Sequence, residues 1–221
     1  MSRQGASGRL PPITEIAIGA VAGYLAGSVS FSQIVGERAL PGQDLSVANI
    51  YVRETGTTVE FHGVTPTSVK EHAGGRAMMA SIGLEALKAA VPTLAMRLML
   101  PGTGAAAAAA TSAVVGHVFP AWNGLRGGYG MSPMIGGLAV LDPAGLLVTT
   151  GVVSAGMGVT RDRRLMLLWP VTIPAWGAFR HRRDIVAFGV AANVVYWARL
   201  VPELRRGLRS VLTVRRKTSK G

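Results

Sequence analysis

Long apolar runs with few charges leave this chain little choice of solvent. Ile13–Val35 is a stretch of some 23 residues interrupted only by Glu15, small Ser/Gly positions and Gln33, enough to cross a bilayer as one helix. Its second half is rich in glycine and serine (Gly23, Gly27, Ser28, Ser30, Ser32), which predicts close packing against another helix. Ala77–Leu100 is a second such stretch, carrying Glu85, Lys88 and Arg97, with Pro92 as the expected kink. Gly104–Gly116 is almost all alanine and reads as a thin helix surrounded by others. Met131–Val159 is long enough to span, with Asp142-Pro143 as a break or helix start. Leu165–Phe179 is short and holds two prolines, so a tilted, kinked or re-entrant segment is expected. Ile185–Val201 is the last apolar stretch, ending in interfacial style at Tyr196, Trp197 and Arg199. The runs predict an all-α polytopic membrane protein with between five and seven transmembrane helices.

Composition agrees: 49% of the 221 residues are hydrophobic and 15% are charged, with mean hydropathy +0.35. The net charge of +12 would suggest nucleic acid in a soluble protein. Here the distribution excludes it, because from Thr160 onward 14 Lys/Arg against 3 Asp/Glu fall in short clusters flanking apolar runs. Clusters so placed are topology determinants and anionic-lipid contacts. The chain has no cysteine, hence no disulfide framework and no thiol nucleophile. Its histidines (His62, His72, His117, His181) lack metal-ligand spacing, so no metal site is expected.

Three regions follow. Residues 1–12 form a flexible basic N-terminus, and residues 13–201 form the membrane helical domain, with a polar loop inserted at 36–76. Residues 202–221 form a basic tail that reads as a membrane-surface helix, a place for anionic lipid or a partner protein. Within the loop, TTVEFHGV alternates like a short β-hairpin arm. The tail argues for a cytoplasmic C-terminus, although TRDRR (160–164) and FRHRRD (179–184) bracket one short apolar segment and cannot both be cytoplasmic if it crosses fully.

Two groupings stand out as chemistry. Glu85 and Lys88, spaced i, i+3 inside an apolar run, share a helix face and can pair, which predicts a structural bridge facing the protein interior. Gly116–Gly130, GHVFPAWNGLRGGYG, places a histidine, an aromatic-proline corner, an arginine and a glycine cluster between two apolar segments. Glycine lets main-chain N–H groups approach a ligand closely, and a polar turn between two helices is the plain alternative.

Taken in order, these landmarks resemble the PlsY-type family of acyl-phosphate-dependent glycerol-3-phosphate acyltransferases. GHVFPAWNGLRGGYG is similar to that family's Gly-His, aromatic-Pro, Lys-Gly-Gly-Lys-Gly motif, and LDP (141–143) fits its continuation. GSVSF (27–31) resembles the first motif, usually Gly-Ser-Ile-Pro-Phe. LEALKAAVP (84–92) resembles an Asp-x-x-Lys-Gly-x-x-Pro segment with glutamate for aspartate, and FRHRRDI (179–185) resembles a Tyr-Arg-His-Arg-Glu-Asn-Ile element. The resemblance runs from about Leu25 to Ile185 and implies a compact helix bundle in the bacterial plasma membrane. It implies acyl transfer from acyl phosphate to glycerol 3-phosphate in phospholipid synthesis, without metal or cofactor. His117, Ser28 and Arg126 would be the catalytic residues, and Gly127, Gly128, Tyr129, Gly130, Thr67 and Ser68 would bind phosphate. Glu85, Lys88 and His181 would support them.

The chain departs from that pattern where charge is expected. Tyr129 stands at the second lysine, Ser46 follows Asp44-Leu45 where an arginine is usual, and GVTPTSV (63–69) keeps only Thr67 of the asparagine-rich motif, with Ser68 for asparagine. Removing a charged partner from a buried phosphate costs about 2–5 kcal/mol. Arg126, Arg53, Lys70 and Arg76 are candidate replacements. A catalytically degenerate scaffold or subunit, or a lipid-handling transporter, is therefore the alternative reading.

Overall fold

Gly19, Gly23 and Gly27 recur every fourth residue along α1 (Pro12–Gly27) and so share one face of it. They face α4 (Ala105–Val118), whose Ala105, Ala109 and Ala113 recur at the same interval. A Cβ at any of the three glycines would overlap the carbonyl oxygen of the alanine opposite. In lipid there is no hydrophobic drive between helices, so this closeness, and the dispersion contact it permits, is what associates them. The pairs advance in the same order, so α1 and α4 run parallel and end at the same side of the molecule.

The structure is a computed structural model and describes residues 11–45, 47–52 and 57–218. The expected flexible N-terminus up to residue 10, Arg53 and Glu54 of the polar loop, and the last three residues of the tail lie outside the described residues. After α1 come α2 (Phe31–Ala39), the antiparallel hairpin β1 (Val47–Val52) and β2 (Thr57–His62), and α3 (Pro66–Met99). Beyond α4 follow α5 (Met131–Leu141), α6 (Pro143–Thr160), a 3₁₀ segment (Arg163–Leu168), α7 (Trp169–Phe179) and α8 (Arg183–Thr218). The alanine-rich α4 lies at the centre, in contact with α1, α3, α5 and α8.

Several boundaries differ from those the sequence suggests. The first apolar run is two helices, because Ser30 adopts an extended conformation and its hydroxyl accepts from the Gln33 N–H at 3.4 Å, capping α2. The polar loop is shorter than 36–76, since α2 continues to Ala39 and α3 begins at Pro66. Thr65 and Ser68 start α3 by a reciprocal capping box: Ser68 N–H donates to Thr65 Oγ1 at 3.2 Å, and Thr65 N–H donates to Ser68 Oγ at 2.9 Å. Within α3 the break is at Gly74 (φ 84°), a conformation that favours glycine, and not at Pro92. Proline's own φ suits a helix, and Pro92 sits inside the continuous stretch that follows. The third long run divides at Asp142 as its Asp-Pro pair suggests: Oδ1 accepts from the Gly145 N–H (2.9 Å) to cap α6, and Oδ2 accepts from Trp176 Nε1 (2.9 Å).

Among the described residues, four helical segments are long and apolar enough to cross a membrane: residues 12–39, 66–99, 143–160 and 183–206. Helices α4 and α5 are apolar but shorter. Contacts fix the direction of each. Gly104, before α4, lies against Ile16 near the start of α1. Arg97 near the end of α3 donates to the Val140 carbonyl near the end of α5. Arg182 and Asp184, at the start of α8, border the same recess as Gly102 and Gly104. At the other end, Gly63 after the hairpin lies beside Arg199 and Gly127, and Tyr196 donates to the Leu167 carbonyl (3.2 Å). TRDRR and FRHRRD therefore lie at opposite ends of the bundle, and the tail shares its end with TRDRR.

The α1–α4 seam yields a direct prediction. Gly23→Leu should destabilise the protein by about 1–3 kcal/mol through overpacking. Gly83→Ala, with no atom within 4 Å of its Cβ, should leave the unfolding temperature in detergent unchanged or slightly raised. Equal melting temperatures for both variants would contradict the packing described.

Candidate active site

The break between α1 and α2 opens toward a carboxylate. Glu85, on α3 and fully buried, accepts on Oε1 from the Ser32 backbone N–H (2.8 Å) and the Ser32 hydroxyl (3.0 Å). Its Oε2 takes Lys88 Nζ at 2.5 Å and His117 Nδ1 at 3.0 Å. The Lys88 ammonium also donates to the Val29 carbonyl (2.5 Å), an acceptor exposed by the helix break. One carboxylate thus joins the α1–α2 break, α3 and the end of α4, and every partner is a donor. The pairing of Glu85 with Lys88 suggested by their spacing is present.

With Nδ1 directed at a carboxylate, the imidazole of His117 carries its proton there and presents Nε2 as an acceptor on the other side. That edge rests against Gly128, where a Cβ would overlap Nε2. A Cβ at Gly127 would overlap the His117 carbonyl oxygen, and Gly127 N–H donates to the Val118 carbonyl at 3.1 Å. The two glycines are thus a wall laid flat on the histidine, which no larger residue permits.

A narrow cleft lies at this point, bordered by Ser28, Lys88, His117, Asn123, Arg126 and the Gly127–Gly128 wall. Of the expected residues, Ser28, His117, Arg126, Gly127, Gly128 and Lys88 are brought together. Ser28 borders the cleft with its hydroxyl donating to the Tyr24 carbonyl (2.8 Å) and accepting from the Ala121 N–H (3.2 Å). Its only proton is committed, so it pins the 119–126 loop to the end of α1. Tyr24 reinforces the pin by donating to the Phe119 carbonyl at 3.0 Å.

Five expected residues sit elsewhere. Ser68 is buried with its hydroxyl used in the capping box and donating to the Thr65 carbonyl (2.9 Å), and the exposed Thr67 does not border the cleft. His181 lies in the α7–α8 turn at the opposite end of the bundle, with φ 54° and an exposed side chain. Gly130 serves the backbone instead, as the left-handed residue (φ 90°) that starts α5. Tyr129 turns away from the cleft toward α8, where the Arg199 guanidinium lies 5.6 Å from its ring centroid. Burial, and then the nearby Glu203 carboxylate, push its hydroxyl up to about 12, so it stays neutral. Among the described replacement cations only Arg126 borders the cleft, while Lys70 and Arg76 are exposed on the first turns of α3.

Ser32 was missed as a site residue, although its place just after the serine-rich end of the first run hinted at a helix break. The Arg199–Glu203–Arg206 cluster, with Glu203 Oε1 accepting at 2.9 and 2.8 Å, was missed because only the tertiary fold brings α8 behind Tyr129. Among the described residues no three His, Asp or Glu side chains gather as metal ligands.

Fold and site define a multi-pass helical membrane protein whose parallel helix ends enclose a buried carboxylate–lysine–histidine network beneath a glycine wall. The family described as glycerol-3-phosphate acyltransferase matches residues 17–210. Relatives of the same name from Anaeromyxobacter sp. (strain K) and Hyphomonas neptunium are 33% and 31% identical over 195 residues, covering 85% of this chain and 91% and 87% of theirs. The chain belongs to the glycerol-3-phosphate acyltransferase family. Its fold resembles the crystal structure of PlsY (YgiH), an integral membrane glycerol 3-phosphate acyltransferase, in its glycerol 3-phosphate form (TM-score 0.73, 18% identity, 89% of this chain and 93% of that one). The lysophosphatidic acid form aligns with TM-score 0.67 and 20% identity, over 90% and 93% of the two chains. The family match corrects the extent read from the motifs: it continues to residue 210, so most of α8 lies within the family.

Removing the central carboxylate tests the network. Glu85→Ala would leave the Lys88 ammonium buried without a counter-charge, a loss of about 3–5 kcal/mol. The expected outcome is little or no folded protein in detergent by size-exclusion chromatography, and Glu85→Ala recovered at wild-type yield and melting temperature would refute it.

Proposed function

We propose that this chain transfers a fatty acyl group from acyl phosphate to the 1-hydroxyl of glycerol 3-phosphate at the His117 cleft. The observation that carries the proposal is His117, fixed through Nδ1 by Glu85 and presenting Nε2 beside Arg126 and the glycine wall. In the reaction the hydroxyl oxygen attacks the acyl carbonyl carbon, the carbonyl–phosphate C–O bond breaks, and inorganic phosphate leaves. The hydroxyl proton passes to His117 Nε2 and from there to the departing phosphate. The Arg126 guanidinium supplies the charge and the fork of donors for a phosphate dianion. Phosphate is already a good leaving group, so most of the acceleration comes from holding the hydroxyl in line with the carbonyl.

The donor has its own place. A wholly apolar lateral groove, bordered by Ala26, Phe31, Leu84, Leu87, Val91 and Pro92, meets the cleft at Val29 and Lys88. An acyl chain in this groove would put its carbonyl at the junction, next to the acceptor hydroxyl. The retained, fully partnered Glu85–His117–Lys88 network favours chemistry over a scaffold, which would have no use for a buried charge cluster at the mouth of a cleft.

Orientation follows from charge. Among the described residues, the cleft end carries Arg38, Lys70, Arg76, Arg126, the Arg161–Arg164 cluster and Arg205–Arg206, against Arg97 and the 180–183 cluster at the other end. By the positive-inside rule the cleft and the C-terminus face the cytoplasm of a plasma membrane, where a water-soluble phosphorylated acceptor is available.

Purified protein in detergent, given palmitoyl phosphate and radiolabelled glycerol 3-phosphate, should form lysophosphatidic acid. His117→Ala should reduce kcat by about 10²–10⁴-fold, as for loss of a positioned base. Arg126→Ala should chiefly raise KM for glycerol 3-phosphate. Absence of turnover with any acyl phosphate at milligram amounts of folded protein would overturn the proposal.

A further inference from the structure

The loop that closes the cleft carries two apolar side chains that are more than half exposed. Trp122 is 68% and Leu125 58% exposed, although both flank the Asn123 and Arg126 that border the cleft. The loop is well defined from within. Asn123 and Leu125 N–H donate to the Pro120 carbonyl (3.4 and 3.2 Å), and Asn123 Nδ2 donates to the Arg126 carbonyl (3.3 Å). Its root is fastened to α1 through Ala121 N–H to Ser28 Oγ and through Tyr24 to Phe119.

Leu125 adds a second anomaly. Its φ is +60°, a left-handed conformation that costs a non-glycine residue and that asparagine or glycine tolerates better. A leucine held there and pointing out of the fold gains nothing in water. It gains at a boundary between water and hydrocarbon, where tryptophan also concentrates.

That boundary is continuous with the loop's root. Leu25, one helical turn before Ser28, is exposed on α1, as are Leu87 and Val91 along the lateral groove. This exposed apolar surface is the lipid-facing side of the bundle, and the loop stands at its rim.

We propose that the Ala121–Arg126 loop is a lipid-interface anchor: Trp122 and Leu125 enter the headgroup boundary of the membrane and thereby hold Arg126 over the cleft. Trp122 and Leu125 are positioning residues that touch lipid, while Arg126 touches the acceptor's phosphate. The benefit is specific to a donor that arrives from the bilayer, because the same anchoring sets the depth at which its carbonyl meets the acceptor held at Arg126. This part rests on the acyl transfer proposed above; the insertion of the loop does not.

The absence of native cysteine gives a clean test. Trp122→Cys and Leu125→Cys, labelled with the environment-sensitive fluorophore NBD, are placed in phosphatidylcholine–phosphatidylglycerol nanodiscs containing doxyl-labelled phosphatidylcholine. Val152→Cys on the exposed face of α6 serves as a mid-depth reference. Blue-shifted emission quenched more strongly by 5-doxyl than by 12-doxyl lipid is expected at 122 and 125, with the opposite order at 152. Water-like emission insensitive to both quenchers at 122 and 125 would overturn the anchor, whether or not the protein is an acyltransferase. In kinetics, the double variant Trp122→Ser/Leu125→Asn, which keeps a residue tolerant of the left-handed backbone, should raise KM for bilayer-borne palmitoyl phosphate about tenfold. KM for water-soluble acetyl phosphate should be unchanged. An equal effect on both donors, or none on either, would refute the positioning role. A wild-type protein that transfers no acyl group while its loop is quenched by 5-doxyl lipid would instead refute the proposed reaction.

Discussion

Everything at the cleft depends on the Glu85 carboxylate being fully occupied. A charge inside a membrane bundle is costly unless donors replace its hydration. Glu85 has four donors from three segments: the Ser32 N–H and hydroxyl, the Lys88 ammonium and His117 Nδ1. None can be withdrawn without leaving a buried charge or polar group short of a partner. The α1–α2 break is therefore part of the solution, because a continuous helix would keep the Ser32 N–H in its own ladder and the Val29 carbonyl away from Lys88. Helix geometry, charge neutralisation and histidine orientation are one arrangement seen from three sides.

The α1–α4 seam explains why that arrangement lies at the mouth of the cleft. Parallel helices packed through Gly19, Gly23 and Gly27 against Ala105, Ala109 and Ala113 end side by side. Ser28 and His117 are the polar residues at those two ends, and they meet because the small-residue registers of both helices run out together. The wall of Gly127 and Gly128 then folds back onto His117, a return possible only without side chains. Small residues thus do two jobs here, bringing helices together in lipid and bringing backbone onto an imidazole at the boundary.

Much of this was legible from the residues. The glycine spacing on the first run, the i, i+3 pair Glu85–Lys88 and the glycine cluster after His117 each carry a local rule that the fold obeys. The misplacements occur where a residue type has two uses and only context decides. Thr65-Pro66-Thr67-Ser68 offers hydroxyls to a phosphate as readily as to a helix start, and the capping box took them. Ser28 sits at the cleft, but its proton belongs to Tyr24. His181 was grouped with the site through the FRHRRDI resemblance, yet each crossing of the bundle reverses the end at which a turn falls. Whether Leu165–Phe179 crosses could not be decided from a short segment with two prolines. Arg199 behind Tyr129 has no local signal at all, since 70 residues separate them.

Tyr129 bears most directly on whether the cleft has lost its charge. In the sequence it reads as a missing cation in a phosphate motif. In the fold it is a neutral residue turned toward α8, with a guanidinium over its ring and a buried carboxylate beyond. Glu203 offsets part of the positive charge of Arg199 and Arg206, so the α8 cluster keeps a net positive charge behind the wall. At low effective dielectric, a charge one layer away still contributes to the potential at the cleft. A tyrosine at 129 therefore places positive charge in the layer behind the wall, and leaves Arg126 as the arginine that borders the cleft. That division makes the position of the 119–126 loop decisive, since it alone sets where Arg126 reaches.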